Sequence, residues 1–258
     1  MKLFFILLLA ASLRLWNLSN RLPFLADQGR DMLVVYRMVQ SHRPTLLGPP
    51  SSQGNFFFGP LYYYLIAPGL MLTNFNPLGA SLMVILIDLT GLYFLFRLTR
   101  SFPVALIYAT SPLLIHWSQS ALNPFFIPGA SAICLFWLSR RRWFLSGILA
   151  GAIIQLHYAA LPLLIVLFWF SRRHFLSSFA GLLLGLSPLI AFELRHQFFN
   201  THAIINFINS SQSRSFNLHY LVILVPFLFW GLAQIFHRFR VLAIPVTALI
   251  LIINLSRL

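Results

Sequence analysis

Acidic side chains are almost missing from this sequence: Asp and Glu together number 4 in 258 residues. Lys2 is the only lysine, so nearly all the positive charge is arginine. Charged residues make up 9% of the chain, where a soluble domain carries about 25%. No polar tract is long enough to fold as a separate soluble domain. Cysteine occurs once, at Cys134 inside an apolar run, which excludes an internal disulfide. No group of cysteines or histidines has metal-ligand spacing, and no carboxylate cluster is dense enough to cage a divalent ion. Neither a metal nor a cofactor is therefore expected. The basic residues are dispersed between apolar stretches rather than gathered on one polar face, which argues against a nucleic acid partner.

What fills the chain is apolar: 59% hydrophobic residues and a mean hydropathy of +0.82. Runs long enough to cross a bilayer recur from end to end without strand-like alternation. This predicts an all-α, polytopic membrane helical bundle forming a single domain over residues 1–258, an integral multi-pass protein of the cell or plasma membrane. Lys2 followed by Leu3 to Ala11 has the outline of a signal peptide. Arg14, Trp16 and the later runs favour an uncleaved first helix.

Arginine clusters order the crossings. They stand at Arg97 with Arg100, at Arg140-Arg141-Arg142, at Arg172-Arg173, and at Arg238 with Arg240. Held on the cytoplasmic side, they require an even number of crossings between neighbours. Runs at 3–18, 78–96, 102–117 and 124–139 each read as one crossing. The stretch from 143 to 170 reads as two short helices of about 14 residues, each near 21 Å, turning at His157 and Tyr158. Runs at 175–192, 219–236 and 241–256 complete about eight crossings. The run 61–73, which opens Gly59-Pro60-Leu61-Tyr62-Tyr63-Tyr64 and contains Pro68 and Gly69, fits an interfacial or re-entrant helix. Residues 19–77 then form one long outer loop.

That loop holds the most informative residues. Asp27 and Asp31, two of the 4 acids, flank Gln28-Gly29-Arg30. Met32, Val35, Tyr36 and Val39 follow at helical spacing, predicting an amphipathic helix from about 28 to 42 that lies flat at the outer interface. Asp27 reads as the N-cap of that helix, as a general base, or as both. Asp31 reads as a solvated partner of Arg30 or Arg37. The segment Ser51-Ser52-Gln53-Gly54-Asn55 reads as a flexible linker. Parity puts Asp27, Asp31, His116, Asn123, His157, Glu193, Arg195, His196 and His219 on the outer side. Glu193 and Arg195 read either as an ion pair closing a helix or, with His196, as an anion-holding group. His157, with Gln155 and Tyr158, is a core histidine or a site residue at a helix break.

The ordered set Leu13-Arg14-Leu15-Trp16, Asp27-Gln28-Gly29-Arg30-Asp31, Gly59-Pro60-Leu61-Tyr62-Tyr63-Tyr64, Asn123-Pro124, Gln155-Leu156-His157 and Pro188 to Asn200 resembles the type C membrane glycosyltransferases. These are enzymes of the protein O-mannosyltransferase and aminoarabinose-transferase kind. The resemblance runs from residue 1 to about 205. It implies a polyprenyl-phosphate sugar donor, a hydroxyl-bearing acceptor (glycan, lipid or protein) and an inverting transfer on the outer face. Asp27 takes the place of the family's first-loop acid, with Gln28, Arg30 and Asp31 beside the acceptor. Gln28 stands where the family has glutamate, and the loop has no lysine for the donor phosphate. Arg195, His196 and His157 are expected to hold that phosphate, supported by Tyr63, Asn123, Gln155 and Glu193. The chain is shorter than such enzymes, so a non-catalytic lipid-binding or assembly relative is an alternative. A lipid-linked sugar transporter is another, though no internal repeat marks it.

Overall fold

A computed structural model of the chain describes residues 1–210 and a few positions between 228 and 254. The runs expected at 219–236 and 241–256, the Arg238 and Arg240 cluster and His219 lie outside the described residues. The described residues are mostly helical, apart from the stretch 42–60, which holds one isolated antiparallel bridge between Pro50 and Phe57. Among them one helix, Pro77–Thr99, is long and apolar enough to cross a bilayer alone. Tyr158–Phe170 and Arg172–Gly185 pass the same length and hydropathy criterion only together, and they are bent by 85°.

The first helices are α1 (Lys2–Leu15), α2 (Leu18–Arg21) and α3 (Ala26–Ser41). α3 begins earlier than the spacing predicts, and this corrects the cap. Leu25 stands at the N-cap position, and its amide donates to Gln28 Oε1 at 2.8 Å. Asp27 lies inside the first turn and is not the N-cap. Its charge still favours the positive end of the helix. The stripe holds for three of its four residues: Val35 is buried, with Met32 and Val39 against the same core, while Tyr36 is 45% exposed and meets Phe75 edge-on.

α4 (Leu61–Leu72) and α5 (Pro77–Thr99) form a tight helical hairpin. A Cβ at Gly69 would stand 2.1 Å from Gly79 O, so the two backbones touch there. The run 102–117 is not one helix. It splits into α6 (Phe102–Thr110) and α7 (Pro112–Gln119). Ser111 precedes a proline and is driven to extended backbone, φ −63° and ψ 116°. A 3₁₀ turn at Asn123–Phe126 leads into α8 (Ile127–Ser139), followed by α9 (Trp143–Leu156) and α10 (Leu163–Phe170). His157 is extended between α9 and the next turn, so the expected break is there. The run 175–192 divides into α11 (Phe175–Gly185) and α12 (Ser187–Arg195), with Pro188 in the first turn of α12. α13 (Phe199–Asn209) ends the described chain.

Close contacts fix the helix directions. Gly91 of α5 lies on Gly129 of α8, and Phe94, one turn on in α5, meets Phe136, two turns on in α8, at 4.9 Å, so α5 and α8 run parallel. In α9 and α11 the pairs Gly147/Gly151 and Gly181/Gly185 face each other in the same order. The Trp143 and His174 rings stack at the two helix starts, 5.5 Å apart. These helices are also parallel. The clusters at Arg97/Arg100, Arg140–Arg142 and Arg172/Arg173 therefore gather at one end of the bundle.

Both glycine pairs follow the small-xxx-small pattern that brings apolar helices into backbone contact. A Cβ at Gly147 would sit 2.1 Å from Ser178 O, which only a shift of backbone can relieve. Gly147→Val is expected to lower stability by about 1–3 kcal/mol through overpacking. Thermal melting of the detergent-purified protein reads this, and an unchanged midpoint would contradict the close approach.

Candidate functional site

Opposite the arginine end, the loops are tied together by polar contacts. Gln28, buried, donates to Ser120 Oγ at 2.9 Å. Asn123 donates to Leu156 O, and Gln155 donates to Gly185 O. The amide of Gly59 donates to Gln155 O at 2.8 Å. A Cβ at Gly59 would press into the Gln155 side chain at 2.5 Å, so only glycine lets the loop lie this close. Gln155 Oε1 is buried with no hydrogen-bond partner among the described residues. Gln28, Asn123 and Gln155 thus hold the loop end together.

The carboxylate pair is asymmetric. Arg30 contacts both acids, Asp27 at 2.7 Å and Asp31 at 2.9 Å. The Asp27 side chain is 60% exposed, and that of Asp31 is 2% exposed. The solvated reading of Asp31 is corrected here: it is buried beneath α3, and Tyr63 OH donates to it at 3.3 Å. Burial pushes its pKa up, partly offset by the hydrogen bond and charge of Arg30. Asp31, Arg30 and Tyr63 form an anchored base from which Asp27 projects into solvent.

The residues expected at the donor phosphate lie further along. Arg195 is exposed at the end of α12 and has no acidic or hydrogen-bonding partner among the described residues. The Glu193–Arg195 ion pair is not formed. Glu193 instead accepts from the Asn200 and Thr201 amides, at 3.1 and 3.0 Å, and from Thr201 Oγ1 at 2.7 Å. These orphan amides open α13, so Glu193 serves as a cap supplied from outside that helix. His196 stacks on Phe192 with centroids 4.2 Å apart. It lines an open cleft of about 500 Å³ with His202, Asn206 and Asn55. His157 accepts from the Ala159 amide at 3.0 Å and lies against the Phe58 ring. Asp27 is not among the residues lining the His196 cleft. A neighbouring apolar groove of about 470 Å³ runs between Tyr158, Leu161, Ile190, Leu194 and Phe198, with Glu193 at its edge.

Sequence reasoning missed two features. The segment 51–55, read as a flexible linker, is the tip of a short hairpin over residues 48–58, with Gly48 N donating to Phe58 O at 2.9 Å and Ser51 N to Phe56 O at 2.8 Å. Asn200, 3% exposed, clamps it: Oδ1 accepts from Phe57 N at 2.9 Å, and Nδ2 donates to Phe57 O at 3.2 Å. Tyr158 OH donates to the same carbonyl at 3.1 Å. Asn200→Ala removes both amide contacts and is expected to cost about 1–3 kcal/mol locally. Limited proteolysis should then cut at 51–55 faster than in the wild type; equal rates would count against the clamp.

The second missed feature is a buried ion pair. Arg14 Nε donates to Asp88 Oδ2 at 2.7 Å, with side chains 0% and 6% exposed. Tyr108 OH donates to Asp88 Oδ1 at 2.6 Å, and Arg14 Nη1 donates to Ala109 O at 2.9 Å. Gln119 Nε2 donates to Arg14 O at 2.9 Å, and Ser81 Oγ to Gln119 O at 2.8 Å. Arg14 Nη2 is buried with no partner among the described residues. The sequence signal was available: one acid and one arginine, each isolated in an apolar helix, have only each other to neutralise them.

No group of three or more His, Cys, Asp or Glu residues that could hold a metal ion occurs among the described residues. Comparison with protein-family models, curated proteins and solved structures returns no match to this chain.

Proposed function

We propose that this chain is a multi-pass membrane glycosyltransferase that moves a sugar from a polyprenyl phosphate to a hydroxyl acceptor, on the face opposite the arginine clusters. The observation that carries the reading is the asymmetric pair: Asp31 is buried and held by Arg30 and Tyr63, while Asp27 projects into solvent. A base must meet its substrate and yet stay in place, and this arrangement supports both. Three arginine clusters at the other end support a cytoplasmic assignment for that end.

In the proposed reaction the acceptor hydroxyl gives its proton to the Asp27 carboxylate as its oxygen attacks the anomeric carbon. The bond from that carbon to the phosphate oxygen breaks, and its electron pair leaves on the lipid phosphate. A single displacement inverts the anomeric centre. Arg195 and His196 are assigned to the departing anion. Asp27 does not line the His196 cleft, so the reaction requires the donor sugar to span from that cleft to the carboxylate, with isoprenoid carbon in the groove between Tyr158, Ile190 and Leu194. The Asp27–Arg30 contact favours a second reading, in which the same loop binds a sugar-phosphate headgroup without transferring it.

The test is to incubate the detergent-purified chain with polyprenyl-phosphate hexoses and pentoses and a hydroxyl acceptor. Release of polyprenyl phosphate with an inverted glycoside supports transfer. Saturable donor binding without release supports the second reading. Neither binding nor release rejects both.

A further inference from the structure

At the arginine end, the starts of α9 and α11 and the end of α10 enclose a cleft of about 470 Å³. Arg141, Arg172, Arg173 and His174 line it together with Trp143 and Trp169. The His174 ring is stacked on Trp143 at 5.5 Å, and the Arg172 guanidinium lies over Trp169 at 6.0 Å. Trp169 is 68% exposed, with Phe170 beside it at 51%. The wall is therefore partly built, and two exposed aromatic side chains stand at its outer rim.

Cations outnumber acids along the whole chain, 18 Lys and Arg against 4 Asp and Glu, and this cleft gathers three arginines and a histidine in one place. The chain has 4 side-chain carboxylates. Asp27 and Asp31 are engaged by Arg30, Asp88 by Arg14 and Tyr108, and Glu193 by the first amides of α13. None remains for Arg141, Arg172 and Arg173. The cleft is a concentration of cations whose counter-charge must come from another molecule. Guanidinium groups favour phosphate oxygens in paired contacts. Exposed tryptophan beside arginine is the composition of a membrane–water boundary.

We infer that this cleft binds the phosphodiester headgroup of an anionic phospholipid, with Arg141, Arg172 and Arg173 on the phosphate and Trp169 with Phe170 against the acyl chains. The inference rests on the membrane placement above but not on the transferase reading, because the cleft lies at the opposite end of the bundle. It gives the basic end a specific ligand, beyond the general pull of positive loops toward the cytoplasm.

The test uses the full purified chain in detergent, with binding of phosphatidylglycerol and of phosphatidylcholine followed by native mass spectrometry. Phosphatidylglycerol is expected to bind saturably and more tightly than phosphatidylcholine. A triple variant with Arg141, Arg172 and Arg173 changed to Gln should bind it at least about a hundredfold more weakly, through the loss of three direct charge-assisted contacts to the phosphate. Changing Arg97, Arg100 and Arg140 to Gln removes equal charge from the same end and should leave binding within about threefold. A variant with the three cleft arginines changed to Lys guards against misfolding and should retain most of the binding. Equal loss in both Gln triples, or no preference over phosphatidylcholine, would overturn the site. Displacement of bound lipid by millimolar inorganic phosphate would overturn the lipid as its ligand.

Discussion

Asp88→Asn is expected to destabilise this protein by about 3–5 kcal/mol, more than any other single change proposed for the bundle. Asparagine keeps the shape of the side chain and can still accept from Tyr108. What it removes is the charge that faces Arg14, whose side chain is fully buried. Arginine cannot neutralise itself by losing a proton, so the uncompensated cation must either stay in the core or pull the end of α1 out of it. Even in the intact network Arg14 Nη2 has no hydrogen-bond partner among the described residues. The melting midpoint of the detergent-purified variant should fall by about 10 °C or more. A triple change, Arg14→Met with Asp88→Leu and Tyr108→Phe, should melt well above the single variant, since a buried pair replaced whole leaves no stranded charge. A single variant that melts with the wild type would show that the pair carries no such weight.

Asp27→Asn is expected to lower sugar transfer by about 10²- to 10⁴-fold, the range for loss of a positioned general base. The effect should fall on turnover, because the amide still accepts a hydrogen bond from a substrate hydroxyl but cannot take its proton. Stability should change little. The Asp27 side chain is 60% exposed, and its ion pair with Arg30 lies in solvent, where such pairs contribute little. An intact melting curve with lost transfer would separate chemistry from folding. The same substitution at Asp31 would not separate them, because that side chain is 2% exposed and shared between Arg30 and Tyr63.

The helical class was legible in the sequence because apolar runs and arginine clusters are strong, long-range signals. So was the α3 stripe, whose Val35 packs into the core at the predicted spacing. Helix ends were less legible. Ser111 and Leu186 break two expected runs; before Pro112 the backbone of Ser111 is driven extended, and Pro188, which has no amide to donate, sits in the first turn of the helix that follows Leu186. The roles of single polar residues were least legible, because pairing across the fold decides them. Asp88 vanished into the apolar average of a 23-residue helix. Glu193 looked like a partner for Arg195, but the nearby start of α13 offered it amides in better positions. Asn200, unremarkable in sequence, holds the hairpin because a side-chain amide can pair with both peptide groups of Phe57.

The most direct measurement is release of polyprenyl phosphate from a polyprenyl-phosphate sugar by the purified wild-type chain and by Asp27→Asn at matched folded concentration. Release by the wild type, an inverted product and near-complete loss in the variant are the predicted results. Equal release by both proteins would contradict the role given to the exposed carboxylate.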